Sequence, residues 1–95
     1  MPAYVIVEIS VHNPQEYEQY KKLSLPSLQP FQGKFIVRGG KTITLEGDWN
    51  PERIVVLEFP DIDRALEWYN SDIYAKAKAI RLRTASTRMI VVEGT

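Results

Sequence analysis

The chain has 95 residues and balances 12 basic against 12 acidic side chains, with one histidine and no cysteine. Zero net charge excludes the long-range field that draws proteins to nucleic acid or anionic lipid. The absent thiols exclude disulfides, thiolate nucleophiles and sulfur-bound metals, and a lone histidine excludes a multi-histidine metal centre within one chain.

A content of 44% hydrophobic and 25% charged residues is that of a globular chain, and one domain over residues 1–95 is expected. The start, MPAYVIVEIS, has no basic leader and is interrupted by Glu8, so a secretory signal is not expected. No apolar run approaches the ~20 residues of a membrane span, and a soluble, cytoplasmic protein is expected. Removal of Met1 would leave Pro2 with a free amine, a candidate base; the plainer reading is a strand start, where a missing N–H costs little.

Residues 3–11 alternate as a strand, with Val5, Val7, Ile9 and Val11 on one face and Tyr4, Ile6, Glu8 and Ser10 on the other. Asn13 then reads as a helix cap, with Pro14 at the first helical position and Glu16 three residues after the cap. Tyr17, Tyr20, Ser24 and Leu28 share one face of that helix, which Pro26 is expected to stop or kink near Leu25. Lys34 to Arg38 is a short strand, Gly39-Gly40 a bend, and Lys41 to Glu46 a continuation of the strand. The turn GDWNPE leads into a strand from Arg53 to Phe59. A simple hairpin on that turn sets Glu46 opposite Arg53 and Lys41 opposite Glu58. Asp61 caps a second helix, with Ile62, Leu66, Tyr69 and Ile73 along one side and Trp68 nearby. Ser71-Asp72 caps a further helix through Arg83, and Ser86 to Glu93 is the last strand.

The order β-α-β-β-α-β predicts an α+β, ferredoxin-like protomer: an antiparallel four-stranded sheet with the helices on one face. The first and third strands are apolar on both faces, yet helices cover only one. A bare apolar face of several hundred Å² is unusual on a monomer, so a second copy is expected, sheet against sheet. Val55→Asp or Leu57→Asp is expected to break that dimer.

GKFIVRGG at 33–40, LEGDWNPER at 45–53, EFPD at 58–61, WYNSDIY at 68–74 and Arg81 resemble the domain of unknown function 1330 family, within the dimeric α+β barrel superfamily. The resemblance spans nearly the whole chain and implies a ferredoxin-like protomer and a sheet-to-sheet homodimer. It implies no particular reaction. Related barrels include cofactor-free monooxygenases, lactone isomerases and haem-handling enzymes, so fold analogy alone assigns nothing.

Arg38, at a strand end before two glycines, is suited to clamp a carboxylate or phosphate; the alternative is a salt bridge to Glu46 or another acid. Glu46 and Arg53 read as a structural pair that fixes the loop carrying Trp49, itself a lid or a plug for the dimer seam. Trp68, Tyr74 and Arg81, with Ser71 at the kink between helices, suit an anionic and partly apolar ligand; the alternative is plain core packing by Tyr69 and Ile73 with Trp68 at the domain edge. Arg38, Trp68, Tyr74 and Arg81 are expected to converge on one cleft, with Trp49 near its mouth. Glu8 and Glu58 are acid/base candidates if burial raises their pKa, and His12 is the one side chain that titrates near neutrality unaided.

RNA-recognition domains share this strand order, and Tyr4 with Lys76, Lys78, Arg81, Arg83 and Arg88 prompts the comparison. RIVVLEF lacks the spaced stacking aromatics of that module, and no nucleic-acid, membrane, metal or cofactor partner is expected. The expected function is a homodimer binding a small anionic organic compound. Any catalysis would be cofactor-free, isomerase-like or monooxygenase-like. The alternative is a non-catalytic dimerisation or ligand-sensing module.

Overall fold

A computed structural model describes every residue from Met1 to Thr95. Strand β1 (Ala3–Val11) is the centre of a sheet ordered β2-β3-β1-β4, where β2 is Lys34–Arg38, β3 Arg53–Phe59 and β4 Ala85–Glu93. Every neighbouring pair is antiparallel. Period-two alternation decides the two faces. Ala3, Val5, Val7 and Ile9 lie buried under the helices, joined by Val55, Leu57 and Phe59 of β3. The fold is α+β and ferredoxin-like, as the order of elements predicts. The carbonyl of Pro2 accepts the Gly94 N–H at 2.7 Å, tying the two chain ends together beside β1.

Helix α1 (Pro14–Leu28) starts as its sequence dictates: the Asn13 side chain accepts the Glu16 N–H at 3.2 Å, and Pro14 supplies the fixed φ of the first position. It does not end at Leu25. Pro26 sits inside the helix, which runs on to Leu28 and into a 3-10 turn, Gln29–Phe31. Tertiary anchors outweigh the lost backbone bond, because Ser27 and Leu28 are both buried and Ser27 receives the indole N–H of Trp68. Gly33 then brings the chain against Phe59, where a Cβ would stand 2.6 Å from the ring.

The expected strand at Lys41–Glu46 does not form. β3 is paired instead by β2, with Lys34 opposite Glu58 and Phe35 opposite Leu57, then a bulge, then Arg38 opposite Val55. With that edge taken, residues 39–52 have no ladder to join and form an arm without secondary structure. Lys41 therefore does not meet Glu58, which pairs with Lys34 at 3.2 Å, and Glu46 does not pair with Arg53.

Helix α2 (Ile62–Tyr69) is capped by Asp61, which accepts the Arg64 N–H at 2.8 Å, and α3 (Asp72–Thr84) by Ser71, which accepts the Tyr74 N–H at 3.1 Å. The buried side of α2 carries Ala65 and Trp68, while Leu66, Tyr69 and Ile73 stay exposed, the reverse of the sequence expectation. Ala65 is small enough to let the helix approach the sheet, which turns Trp68 inward onto Phe59, ring centroids 5.4 Å apart. No helix is long and apolar enough to cross a membrane.

The face of the sheet away from the helices carries three cross-strand rows. Val56, Ile6 and Ile90 form one; Glu58, Tyr4 and Val92 the next; Ile54, Glu8 and Arg88 the third. Val55 and Leu57 are not on this face but under the helices, so Val55→Asp or Leu57→Asp would break the core rather than an interface. Glu8 accepts from Arg88 Nε at 2.8 Å and from the Trp49 indole N–H at 3.0 Å. The Arg88 bond first, then that of Trp49, holds the Glu8 carboxyl below the usual carboxylate value. A depressed folded-state pKa stabilises the fold above the unfolded value and ceases to do so as pH falls through the folded one. Glu8→Gln is therefore expected to be less stable than the wild type near neutrality, with the gap narrowing on acidification. Thermal melts from about pH 7 to about pH 3 measure it; a gap that widens on acidification would contradict the pairing.

Candidate functional site

On the helix side of the sheet, a cavity of about 30 Å³ lies between α1 and the strands. Val7, Ile9, Val55 and Leu57 form its floor, and Tyr17 and Tyr20 of α1 stand over it. Arg38, Arg53 and Lys21 supply its charge, and Trp68 and Met89 also line it. Tyr17, Lys21 and Arg53 in turn border a surface recess of about 150 Å³, so the charged end faces solvent.

Local sequence places the two arginines. Arg38 ends β2, and its guanidinium lies 4.3 Å from the centroid of the Phe35 ring, a cation–π contact. Arg53 opens β3, and its guanidinium fills the space beside Gly39, where a Cβ would come within 2.2 Å of it. Gly39 also has φ +72°, so a side chain is disfavoured there twice over. The Nε of Arg53 is buried and has no hydrogen-bond partner. That is a desolvation cost left uncompensated by the protein itself.

Behind Tyr20 stands a third guanidinium. Arg81 is 2% exposed, yet its partners are hydroxyls: Nε donates to Tyr74 Oη at 3.2 Å and Nη1 to Thr87 Oγ1 at 2.5 Å. Tyr74 and Tyr20 share a hydrogen bond of 2.8 Å. Arginine can only donate, so Tyr74 is already an acceptor and its own proton is best used toward Tyr20. Tyr20 then retains its proton for the cavity it lines. Burial, with Tyr74 adding to it, drives the Tyr20 phenol far above its ordinary range, and burial raises Tyr17 against the fields of Arg53, Arg81 and Arg38. Both phenols are donors at neutral pH and neither is a base.

The ion pairs of the protein are Lys21–Glu18, Lys34–Glu58, Arg83–Glu16 and Arg88–Glu8. Arg38, Arg53 and Arg81 belong to none of them. Arg38 and Arg53 line the cavity beside Tyr17 with no ion-pair partner, and Glu18, which borders the adjoining recess, is engaged by Lys21, so the charged end is net cationic and suited to an anion.

The structure brings some of the expected residues together and separates others. Arg38 and Trp68 line one cavity. Tyr74 and Arg81 lie on the same side of the sheet but reach that cavity only through Tyr20. Trp49 is elsewhere: its bond to Glu8 sets it against the opposite face, and it is 53% exposed. Glu8 and Glu58 also face that side, each engaged by a cation, so the raised pKa sought for Glu8 is in fact lowered. His12 is exposed, with its backbone N–H on the Thr84 carbonyl at 3.0 Å, and it does not line the cavity. No cluster of acidic, histidine or cysteine side chains able to hold a metal is present. Sequence reasoning missed Tyr17, Tyr20 and Arg53 as site residues. The tyrosines read as an ordinary core face of a helix, and Arg53 reads as the partner of Glu46.

The ferredoxin-like plan, with helices on one face of a four-stranded antiparallel sheet, defines a class of small α+β proteins. The family model described as Domain of unknown function (DUF1330) matches residues 2–95, and the chain belongs to that family. Among curated proteins no match is found. A protein of unknown function from Rhodopseudomonas palustris superposes with a TM-score of 0.78 at 18% identity, covering 99% of this chain and 82% of that one. A dimeric ferredoxin-like protein of unknown function from Jannaschia sp. CCS1 gives 0.75 at 11% identity, covering 99% and 100%. SnoaB, a cofactor-independent oxygenase from Streptomyces nogalater, gives 0.64 at 11% identity, covering 99% and 93%. At these identities the likeness is one of fold.

Proposed function

We propose that the protein is a sheet-to-sheet homodimer in which each protomer binds a small, partly apolar organic anion, its charged oxygens held between Arg38 and Arg53. The buried, unpartnered Nε of Arg53, in a cavity that Arg38 also lines without a carboxylate partner, is the observation that carries this reading. Pairing of two sheets is supported by the apolar row Val56, Ile6, Ile90 on the uncovered face and by the dimeric ferredoxin-like neighbour. A module built for dimerisation alone would leave these two guanidiniums without a purpose.

The chemistry such a site favours is stabilisation of negative charge on oxygen. Guanidiniums and protonated phenols are preorganised donors in a cavity with an apolar floor, where they act more strongly than in water. With no base at hand, the site suits a ligand that arrives as a carboxylate or enolate. A cofactor-free reaction of a substrate that arrives already as an enolate fits this environment, by return of a proton to carbon in an isomerisation or by addition of dioxygen in an oxygenation, and a cofactor-independent oxygenase shares the fold.

Benzoate titrated against the protein, in a Trp49→Phe background that leaves Trp68 as the reporter, is expected to quench fluorescence and raise the melting temperature. Arg38→Ala and Arg53→Ala should each weaken binding roughly thirtyfold, the equivalent of one charge-assisted contact. Uncharged benzamide should not bind comparably. Equal binding of benzoate and benzamide, or arginine variants that bind like the wild type, would refute the site.

A further inference from the structure

We propose that the ligand is an amphipathic monocarboxylate whose apolar tail runs from the arginine-lined cavity past Met89 into a second, wholly apolar groove between α2 and the edge strand β4. The inference rests on the anion-binding reading above and specifies which anions qualify.

The arginine end alone is too small for an organic ligand. About 30 Å³ is room for one or two waters, so a carboxylate head fits but the rest of the molecule does not. A groove of about 260 Å³ lies further along, lined by Val5, Ala65, Leu66, Tyr69, Ile90 and Val91, with no charged residue. Trp68 and Met89 line both spaces and are therefore the partition between them.

The two halves of that partition differ in freedom. Trp68 is 1% exposed, donates to Ser27 Oγ at 3.0 Å and stacks on Tyr74 with centroids 4.1 Å apart. It is pinned. Met89 is partly exposed, unbranched and held by apolar packing alone, the kind of side chain that adapts to what lies beside it. Movement of Met89 joins the spaces into one channel with cations at one end and hydrocarbon at the other. No charged side chain lines the groove itself, although Lys78 Nζ sits over the Tyr69 ring, 4.3 Å from its centroid, so the lining suits a hydrocarbon tail rather than a second carboxylate. Its rim is apolar: Leu66 on the helix side is 45% exposed, and Ile90 on the other side belongs to the row proposed to face a second copy. Continuity with the charged cavity favours a ligand tail as its occupant over a side chain from a second copy.

Calorimetric titration of butyrate, hexanoate and octanoate against the purified protein tests this. Affinity is expected to rise about fourfold per added methylene, the gain from moving a CH₂ out of water. Leu66→Asp, a charge at the far end of the groove, and Met89→Phe, a stiffer partition, should each collapse the octanoate-to-butyrate ratio toward one. Leu66 is half exposed, so that variant folds even if Met89→Phe does not. A flat wild-type series with butyrate still bound would overturn the tail proposal, leave the anion site standing, and point to a second copy filling the groove. A steep series that neither variant changes would overturn the route. No binding of any acid would overturn both the channel and the anion reading.

Discussion

Ile6→Asp, and separately Val56→Asp, is expected to yield folded monomers in place of the proposed dimer. Ile6 is the centre of the row Val56, Ile6, Ile90, which crosses three strands of the face that no helix covers. A stable pairing of two such faces buries roughly 2,000 Å² or more in total. Placing one carboxylate on each side of its centre sets two unpaired charges in a desolvated seam, a penalty of several kcal/mol per ion. In the monomer the same carboxylate faces water, so the fold survives. Sedimentation or light scattering should show half the mass with an unchanged circular dichroism spectrum. A variant that remains dimeric at micromolar concentration would show that the face is not the interface. Val55→Asp, one residue along, should instead unfold the protein, because Val55 is 6% exposed beneath the helices.

Trp68→Ala should be the most destabilising single substitution, by about 3–5 kcal/mol. Trp68 touches Phe59, Tyr69 and Tyr74 through its ring and Ser27 through its N–H, so the change opens a large void and strips a buried hydroxyl of its donor. For a chain of this size that corresponds to a fall in melting temperature of roughly 12 °C or more. Trp49→Ala makes the comparison sharp. That indole is half exposed and hydrogen-bonded to the sheet through Glu8, and its loss should cost about 1 kcal/mol or less. Comparable losses at the two positions would contradict the assignment of Trp68 to the core.

The contrast between these tryptophans also explains what could be read from the sequence. Regular elements announced themselves through period and caps: the alternation of β1, Asn13 before Pro14, Asp61 and Ser71 before their helices. The arm did not, because Thr42-Ile43-Thr44 has the composition of a strand and lacks only a partner, and partners are a tertiary fact. Two opposite-charge pairs happen to be symmetric about Trp49-Asn50, which favours a hairpin that β2 forecloses. The site was legible where chemistry sat at an element boundary, as with Arg38. It was hidden where a functional side chain lay on a helix face already explained by packing, as with Tyr17 and Tyr20. On α2 the larger apolar residues, Leu66 and Tyr69, suggested the inner side, whereas little Ala65 determines it.

The alternation along β1 has a bearing on how the chain tolerates change. Odd positions look toward the helices and the cavity beneath them and even positions onto the uncovered face, so substitutions can retune one without disturbing the other. Lengthening or shortening the strand has no such freedom. Deleting a single residue near Tyr4 would shift the frame of everything up to Val11, carrying Glu8 beneath α1 and Val7 out into water. The strand behaves like a text read in two interleaved lines, indifferent to spelling in either but garbled in both by one missing letter.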